Sequence, residues 1–246
     1  MLGLPGDVTA CLFDLDGVLT QTASVHRAAW QETFDDCLRR WEQDGQPLAP
    51  FDPASDYNDY VDGRPRADGV RAFFASRGIT VPEGGPDDPP DRDTVYGIGT
   101  RKNDIVLRRI REDGVQVFDG AVAYLRATEQ AGLRRAVVSA SQNTHEVLRV
   151  TGLTDLFEVI VDGVVAKNEN LRGKPEPDTF LACAKRMGVS PRHAVVFEDA
   201  VSGVAAGRAG DFGFVVGVDR VGHAEDLRQA GADVVVEDPV ELLEKP

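Results

Sequence analysis

The sequence predicts an α/β fold, in which a parallel β-sheet carries helices on both faces and a helical domain is inserted after the first strand. Three observations predict this fold. Short β-branched runs recur along the chain, helical patterns separate the runs, and the strand pattern disappears between residues 22 and 115. Strands that alternate with helices form right-handed βαβ units, which require a parallel sheet.

Six apolar runs are predicted as strands. Each run is nearly continuous in apolar residues, which is typical of strands that are covered on both faces. Between the runs lie patterns with helical spacing, such as "GAVAYLRATEQAGL" and "PDTFLACAKRMGV". The predicted strands span residues 8–14, 134–140, 157–163, 193–199, 213–219 and 232–238.

The inserted segment has a different composition. "SVHRAAWQETFDDCLRRWEQ" and "NDIVLRRIRED" are helical patterns, and loops rich in Pro, Gly and Asp separate them. We expect residues 83–93, an acidic loop, to be a solvated connection. The predicted domains are therefore a core formed by residues 1–21 and 116–246 and a helical insert formed by residues 22–115.

Composition limits the function. Among 246 residues there are 27 Lys and Arg against 41 Asp and Glu, a formal net charge of -14, so binding to nucleic acid is not expected. The 3 cysteines are widely spaced and are expected to be buried small hydrophobes in a reducing compartment. No apolar stretch approaches the roughly 18 residues of a membrane span. We expect a cytoplasmic protein without a membrane partner, and a monomer by default.

Polar side chains follow the predicted strands. In "CLFDLDGVLTQT", Asp14 and Asp16 lie two residues apart, so a strand would direct both carboxylates to the same side. Like charges this close are tolerated when a cation balances them. Carboxylates from separate strands suit Mg²⁺, which prefers oxygen ligands. The candidate metal ligands are Asp14, Asp16, Glu198 and Asp199, and the other strand-end candidates are Ser139 and Lys174.

These residue types predict phosphoryl transfer. Asp14 would attack phosphorus and form an aspartyl-phosphate, while Asp16 would act as general acid and then as general base. Ser139 would hold a phosphoryl oxygen, and Lys174 would neutralise the charge on Asp14 and on the phosphoryl group. These four residues are the predicted catalytic set.

The motifs "DLDG", "SAS", "GKPEPD" and "FED" resemble the four motifs of the haloacid dehalogenase superfamily. The longer stretches "FDLDGVLTQTASVHRAAW", "SASQN" and "EDAVSGVAAGRAG" are similar to its β-phosphoglucomutase-like branch, as is "RKND" in the insert. The resemblance implies a Rossmann-like core with a mobile α-helical cap over the active site. It also implies Mg²⁺ bound by Asp14, the main-chain carbonyl of Asp16, and Asp199.

The same resemblance implies residues that bind the substrate. Thr22, His26 and Trp30 would face the reaction centre, and their spacing places them on one stripe of a helix, although packing in a core is the alternative for Thr22 and Trp30. Two positions depart from the branch: Asp62 stands where a lysine is usual and Gln21 where an acid is usual. The remaining implied contacts are Gly63, Arg66, Ala140, Ser141 and Asn143.

The resemblance favours a sugar-phosphate mutase that interconverts hexose 1-phosphate and 6-phosphate. The alternative within the same chemistry is a phosphatase acting on a sugar phosphate or another small molecule, in which water discharges the aspartyl-phosphate. A third hypothesis, a phospho-acceptor module in signalling, is disfavoured because it would not need the long insert. The expected partner is a small phosphorylated metabolite, most simply a sugar phosphate.

Overall fold

The structure is a computed structural model that describes residues 2–41, 48–61 and 64–243. The chain forms two compact units. The larger unit comprises Met1–Thr22 and Val115–Pro246, and the smaller unit comprises Ala23–Gly114. Among the described helices, none combines the length and the apolar character needed to cross a membrane. The cytoplasmic location and the monomeric state stay predictions.

The larger unit contains a six-stranded sheet in the order β3-β2-β1-β4-β5-β6, and every pair of neighbouring strands is parallel. This confirms the predicted parallel sheet. The strands are shorter than the predicted runs, because polar residues at their ends turn into loops. The strands are β1 (Ala10–Phe13), β2 (Arg134–Val138), β3 (Val159–Val161), β4 (Ala194–Glu198), β5 (Phe214–Val218) and β6 (Val234–Val236).

Helices fill the connections. The α-helices of the described residues are α1 (Thr22–Trp41), α2 (Arg66–Ser76), α3 (Val95–Glu112), α4 (Asp119–Gln130), α5 (Thr144–Thr151), α6 (Gly163–Asn168), α7 (Asp178–Met187), α8 (Val201–Ala209) and α9 (Ala224–Gln229), and a π-helix spans Tyr57–Val61. In the larger unit, α4, α7, α8 and α9 contact the strands of the sheet.

The sheet is covered on both faces. Leu12 of β1 belongs to a buried cluster with Phe180 of α7. The next residue, Phe13, points to the opposite face, where it stacks on Phe197 at 4.5 Å between ring centroids. Tyr124 of α4 packs against Phe197 on that same face. Burying each such side chain contributes about 1.5–3 kcal/mol to folding.

The smaller unit has an aromatic core of its own. Phe34 of α1 stacks on Trp30 at 4.8 Å and on Phe73 of α2 at 4.0 Å between ring centroids. Val95 and Ile98 of α3 complete this cluster. The three cysteines, Cys11, Cys37 and Cys183, are free and buried, as their spacing predicts.

Candidate active site

The first site loop follows β1. The strands β1, β2 and β4 lie in register, so Phe13 is level with Val137 and Phe197, and the residues after them meet at one edge of the sheet. Gly17 has a φ of 89°, which glycine adopts without strain. A Cβ atom at Gly17 would overlap the carboxylate of Asp199. The "DLDG" turn therefore needs glycine in order to bring the acids of β1 and β4 together.

Lys174 is the cation of this edge. Its Nζ atom donates to Asp14 Oδ1 at 2.5 Å and also to Glu198 Oε1. Its side chain is 13% exposed. Burial lowers the pKa of Lys174, but the charges of Asp14 and Glu198 raise it by more, so the net shift is upward. Lys174 is therefore a permanent cation beside the proposed nucleophile.

Negative charge nevertheless exceeds positive charge at the edge. Burial raises the pKa of Asp14 well above its usual range; Lys174 opposes this shift, and Glu198 and Asp199 add to it. Burial and the charge of Glu198 raise the pKa of Asp199 to about 7. One lysine does not balance the carboxylates gathered here, so the site favours a further cation.

Asp16 is held by two hydroxyl groups. Thr22 Oγ1 donates to Asp16 Oδ1, and Ser139 Oγ donates to Asp16 Oδ2 at 3.2 Å. Burial raises the pKa of Asp16, and these two hydrogen bonds lower it. The two bonds fix the orientation of the carboxylate.

The loop after β2 turns around Ser139. The main-chain N–H of Ser141 donates to Ser139 Oγ at 3.0 Å, and that of Asn143 donates to Ser141 Oγ at 3.1 Å. Ala140 is exposed, Ser141 is half-buried and Asn143 is buried. Gly163, after β3, donates from its main-chain N–H to the Ser141 carbonyl at 3.0 Å. These bonds fix the "SAS" loop beside Asp16.

The donor set fits Mg²⁺. Within the described residues, no three or more His, Cys, Asp or Glu side chains form a ready metal site. Glu198 is occupied, since one of its oxygens pairs with Lys174 and the other accepts from the Ala200 N–H at 2.8 Å. The carboxylates of Asp14 and Asp199 and the main-chain carbonyl of Asp16 remain as oxygen donors, which is the ligand type that Mg²⁺ uses when water and phosphate complete its shell.

The smaller unit contains a second polar cluster. Lys102 Nζ lies 2.7 Å from His26 Nδ1. An ammonium group only donates, so Nδ1 accepts and the ring proton resides on Nε2. Lys102 is 5% exposed and lies 4.9 Å from the centroid of the Trp30 ring. Burial, with the charges of Lys102 and Arg66, lowers the pKa of His26 to about 3. Neutral His26 is thus an N–H donor at physiological pH.

Arg66 lies at the start of α2 in the same unit. Its Nη2 atom donates to Asn103 Oδ1 on α3 at 2.9 Å, and its stem runs beside Gly99, where a Cβ would lie 3.2 Å from Arg66 Cδ. Burial lowers the pKa of Arg66. Neither Lys102 nor Asn103 was singled out from the sequence. The signal was the "RKND" motif, which contains both.

The predicted substrate contacts are distributed over the two units. Thr22 lies at Asp16, within the larger unit, whereas Trp30 is 5% exposed and belongs to the aromatic core of the smaller unit. His26 and Arg66 lie in the polar cluster just described. Gly63 and the neighbouring Asp62 lie outside the described residues.

Fold and site together define a class: α/β enzymes whose strand-end carboxylates and lysine serve phosphoryl transfer. The chain matches the sequence model of the haloacid dehalogenase-like hydrolase family over residues 8–211. It belongs to this family and is a phosphotransferase of the haloacid dehalogenase type.

Individual relatives are also similar over nearly the whole chain. A protein named beta-phosphoglucomutase from Mycobacterium bovis is 56% identical, over 99% of this chain and 94% of that protein. The crystal structure of a haloacid dehalogenase-family hydrolase from Deinococcus radiodurans, with bound phosphate and sodium, is 32% identical, with a TM-score of 0.69 over 97% of this chain and 94% of that one. The structure of a beta-phosphoglucomutase from Clostridium difficile is 25% identical, with a TM-score of 0.71 over 96% of this chain and 93% of that one.

Proposed function

We propose that this chain is a Mg²⁺-dependent β-phosphoglucomutase, which interconverts hexose 1-phosphate and hexose 6-phosphate through an aspartyl-phosphate. The observation that carries the proposal is the meeting of Asp14, Lys174 and Asp16 at one sheet edge. The 56% identity to the Mycobacterium bovis protein supports the choice of a mutase.

The contacts support the following proposed catalytic roles. An Asp14 oxygen attacks phosphorus, the Asp14 O–P bond forms, and the bond from phosphorus to the leaving oxygen breaks. The proton of Asp16 passes to that leaving oxygen. In the second step Asp16 accepts a proton from the incoming sugar hydroxyl, whose oxygen takes the phosphoryl group from Asp14. Thr22 and Ser139 hold Asp16 in place for both transfers.

Charge neutralisation is shared. Lys174 offsets the charge of Asp14 while the new bond forms, and Glu198 holds Lys174 there. Asp14, the Asp16 carbonyl and Asp199 are the proposed ligands of Mg²⁺. When bound, Mg²⁺ supplies positive charge that offsets the carboxylates and the transferring phosphoryl oxygens.

Residues 22–115 are proposed to act as a cap that binds the distal end of the substrate. The proposed polar contacts are Arg66 and the His26–Lys102 pair. The planar guanidinium of Arg66 suits a bidentate contact with phosphate. Ala140, Ser141 and Asn143 are proposed to contact the sugar or its phosphate from the core. Gly63 keeps its predicted role.

A phosphatase is the second candidate. The observation that favours it is the 32% identity to the Deinococcus radiodurans protein, which is named a hydrolase. The two candidates differ in whether a sugar hydroxyl or water discharges the aspartyl-phosphate.

One assay separates the candidates. The protein is incubated with Mg²⁺, β-glucose 1-phosphate and a trace of β-glucose 1,6-bisphosphate. Formation of glucose 6-phosphate supports the mutase, whereas free glucose and inorganic phosphate support the phosphatase. Omitting Mg²⁺ should abolish turnover. Both candidates are refuted if the protein turns over neither β-glucose 1-phosphate nor a generic aryl phosphate.

A further inference from the structure

Arg220 contacts the catalytic loop from outside the motifs. It follows β5, and its Nε and Nη2 atoms donate to the main-chain carbonyls of Gly17 at 3.0 Å and Val18 at 3.2 Å. These carbonyls come directly after Asp16. A planar guanidinium makes two such bonds in a fixed geometry, which a single ammonium cannot reproduce.

The other side of the guanidinium is anchored as well. Nη1 donates to the Glu237 carbonyl at 2.7 Å and to Asp238 Oδ2 at 3.1 Å. The side chain is 16% exposed. The turn that carries Arg220 is itself fixed, because Asp219 Oδ1 accepts from the N–H groups of Val221 and Gly222 at 3.2 and 2.7 Å. Arg220 is therefore held by the ends of β5 and β6.

Arg220 also packs against Phe118, which lies in the segment that follows the insert. Its guanidinium carbon is 3.6 Å from the centroid of the Phe118 ring. Phe118 donates from its main-chain N–H to the Leu19 carbonyl at 3.0 Å, so it is tied to the same catalytic loop. A cation over an aromatic face is stabilised by about 0.5–2 kcal/mol. One guanidinium thus contacts the catalytic loop after β1, the Phe118 ring and the loop after β6.

We propose that Arg220 is a positioning residue that holds the main chain behind Asp16 through the Gly17 and Val18 carbonyls. Thr22 and Ser139 orient the Asp16 carboxylate on that held main chain. The inference rests on the proposed function, because it assigns to Arg220 a share in the protonation of the leaving oxygen. Removing the fork leaves Asp14 and Lys174 in place but lets the loop behind Asp16 shift. The step that suffers is proton transfer, for which a displacement of about 1 Å can cost a hundredfold in rate.

The test compares two aryl phosphates of nearly the same shape. One needs the general acid Asp16 to protonate its leaving group, and the other does not. Phenyl phosphate releases a phenol with a pKa of about 10 and gains from protonation, whereas p-nitrophenyl phosphate releases a much weaker base. Since kcat/KM covers the steps up to release of the phenol, the ratio of kcat/KM for p-nitrophenyl phosphate to that for phenyl phosphate measures loss of the acid. The folded fraction of a preparation cancels in this ratio.

Arg220→Gln should raise the ratio about tenfold over wild type, in the direction of Asp16→Asn, because general acids contribute about 100-fold or more. Arg220→Lys keeps the charge without the fork and should also raise it, and it serves in place of Arg220→Gln if that variant does not fold. The matched control is Arg208→Gln. Arg208 likewise donates Nε and Nη2 to a main-chain carbonyl, that of Gly231, and pairs with Asp233.

The outcomes separate the two hypotheses. A wild-type ratio in the Arg220 variants, or an equal rise in Arg208→Gln, overturns the positioning role. If Asp16→Asn leaves the ratio at the wild-type value, Asp16 is not the acid and the proposed mechanism fails first. A raised ratio in Asp16→Asn and the Arg220 variants, with Arg208→Gln unchanged, supports the inference.

Discussion

At the scale of residues, one buried lysine is placed among acids that would repel one another in its absence. Lys174 pairs with Asp14 and Glu198, while Asp16 depends on hydroxyl groups instead. Asp14 and Glu198, the two acids that pair with Lys174, are both buried. Removing the lysine would therefore leave their charges buried without a partner. Chemistry and stability can therefore be separated by substitutions that keep shape and change charge.

Asp14→Asn should abolish turnover without unfolding the protein. Loss of the nucleophile should reduce kcat/KM more than about a thousandfold, which corresponds to about 4 kcal/mol in barrier. Asparagine keeps the shape of Asp14, and Lys174 keeps Glu198 as its ion-pair partner, so the substitution leaves no unpaired charge. The thermal midpoint should therefore stay within about 3 °C of wild type.

Activity of Asp14→Asn close to that of wild type would contradict the assignment of the nucleophile. A large fall in the midpoint would instead mean that Asp14 is required for folding. Calorimetry and p-nitrophenyl phosphate hydrolysis on one preparation give both measurements.

His26 should stay neutral at pH values well below the ordinary pKa of histidine. Burial and the nearby cations Lys102 and Arg66 lower its pKa to about 3, so its ring should not titrate between pH 8 and pH 5. The unfolded chain takes up this proton near pH 6.5, so His26 makes the fold less stable as the pH falls below that value. Nitrogen NMR shifts of the ring report the titration directly.

Lys102→Met provides the comparison for His26. Removing the neighbouring cation should move the pKa of His26 upward, toward its ordinary value. A wild-type ring that titrates near pH 6.5, or a Lys102→Met ring with an unchanged pKa, would contradict the electrostatic explanation.

At the scale of elements, an acidic loop ties two helices of the smaller unit together. Asp93 accepts from Arg40 and from Trp41 Nε1 of α1, each at 3.1 Å, and from Arg101 of α3 at 3.0 Å. The sequence predicts a solvated connection over residues 83–93. Asp93 departs from that expectation, because it is half-buried and accepts from Arg40 and Trp41, which lie 53 and 52 positions away.

Asp93→Ala should lower the stability of the smaller unit by about 1–3 kcal/mol, since the indole N–H and two guanidinium groups lose their acceptor. Asp91→Ala is the matched control: it removes the same charge from an exposed position of the same loop and should change stability by less than about 0.5 kcal/mol. Urea unfolding followed by tryptophan fluorescence measures both. Equal effects of the two substitutions would contradict the anchoring role of Asp93.

Arg66 of α2 is the proposed contact for the phosphate of the sugar, and its Nη2 atom donates to Asn103 Oδ1 of α3. Arg66→Ala should lower kcat/KM for β-glucose 1-phosphate by about tenfold or more, because a charge-assisted contact with phosphate contributes about 1.5–3 kcal/mol. Hydrolysis of p-nitrophenyl phosphate should change little. Arg64→Ala, at an exposed arginine two residues earlier, is the control. An equal loss of Arg66→Ala on both substrates would count against a role in binding the sugar phosphate.

At the scale of the whole molecule, the chain consists of two compact units with separate cores. Its 2 tryptophans, Trp30 and Trp41, both belong to the smaller unit. Tryptophan fluorescence therefore follows the smaller unit, whereas far-UV circular dichroism follows the entire chain.

Phe34→Ala should destabilise the smaller unit selectively. The ring is fully buried between Trp30 and Phe73, and its removal should cost about 3–5 kcal/mol. The fluorescence transition should then move to lower urea than the circular dichroism transition. Coincident transitions, shifted by the same amount, would mean that the units unfold as one.

The sequence alone determined the parallel sheet and the residues at its strand ends, because buried strands are continuous apolar runs and their carboxyl ends meet at one edge. Tertiary structure alone decided the partners. Lys102 meets His26 across 76 positions, and Arg220 meets Gly17 across 203. No local pattern encodes such pairs, since any arginine after a strand looks alike until the packing of the strands selects the carbonyls it reaches.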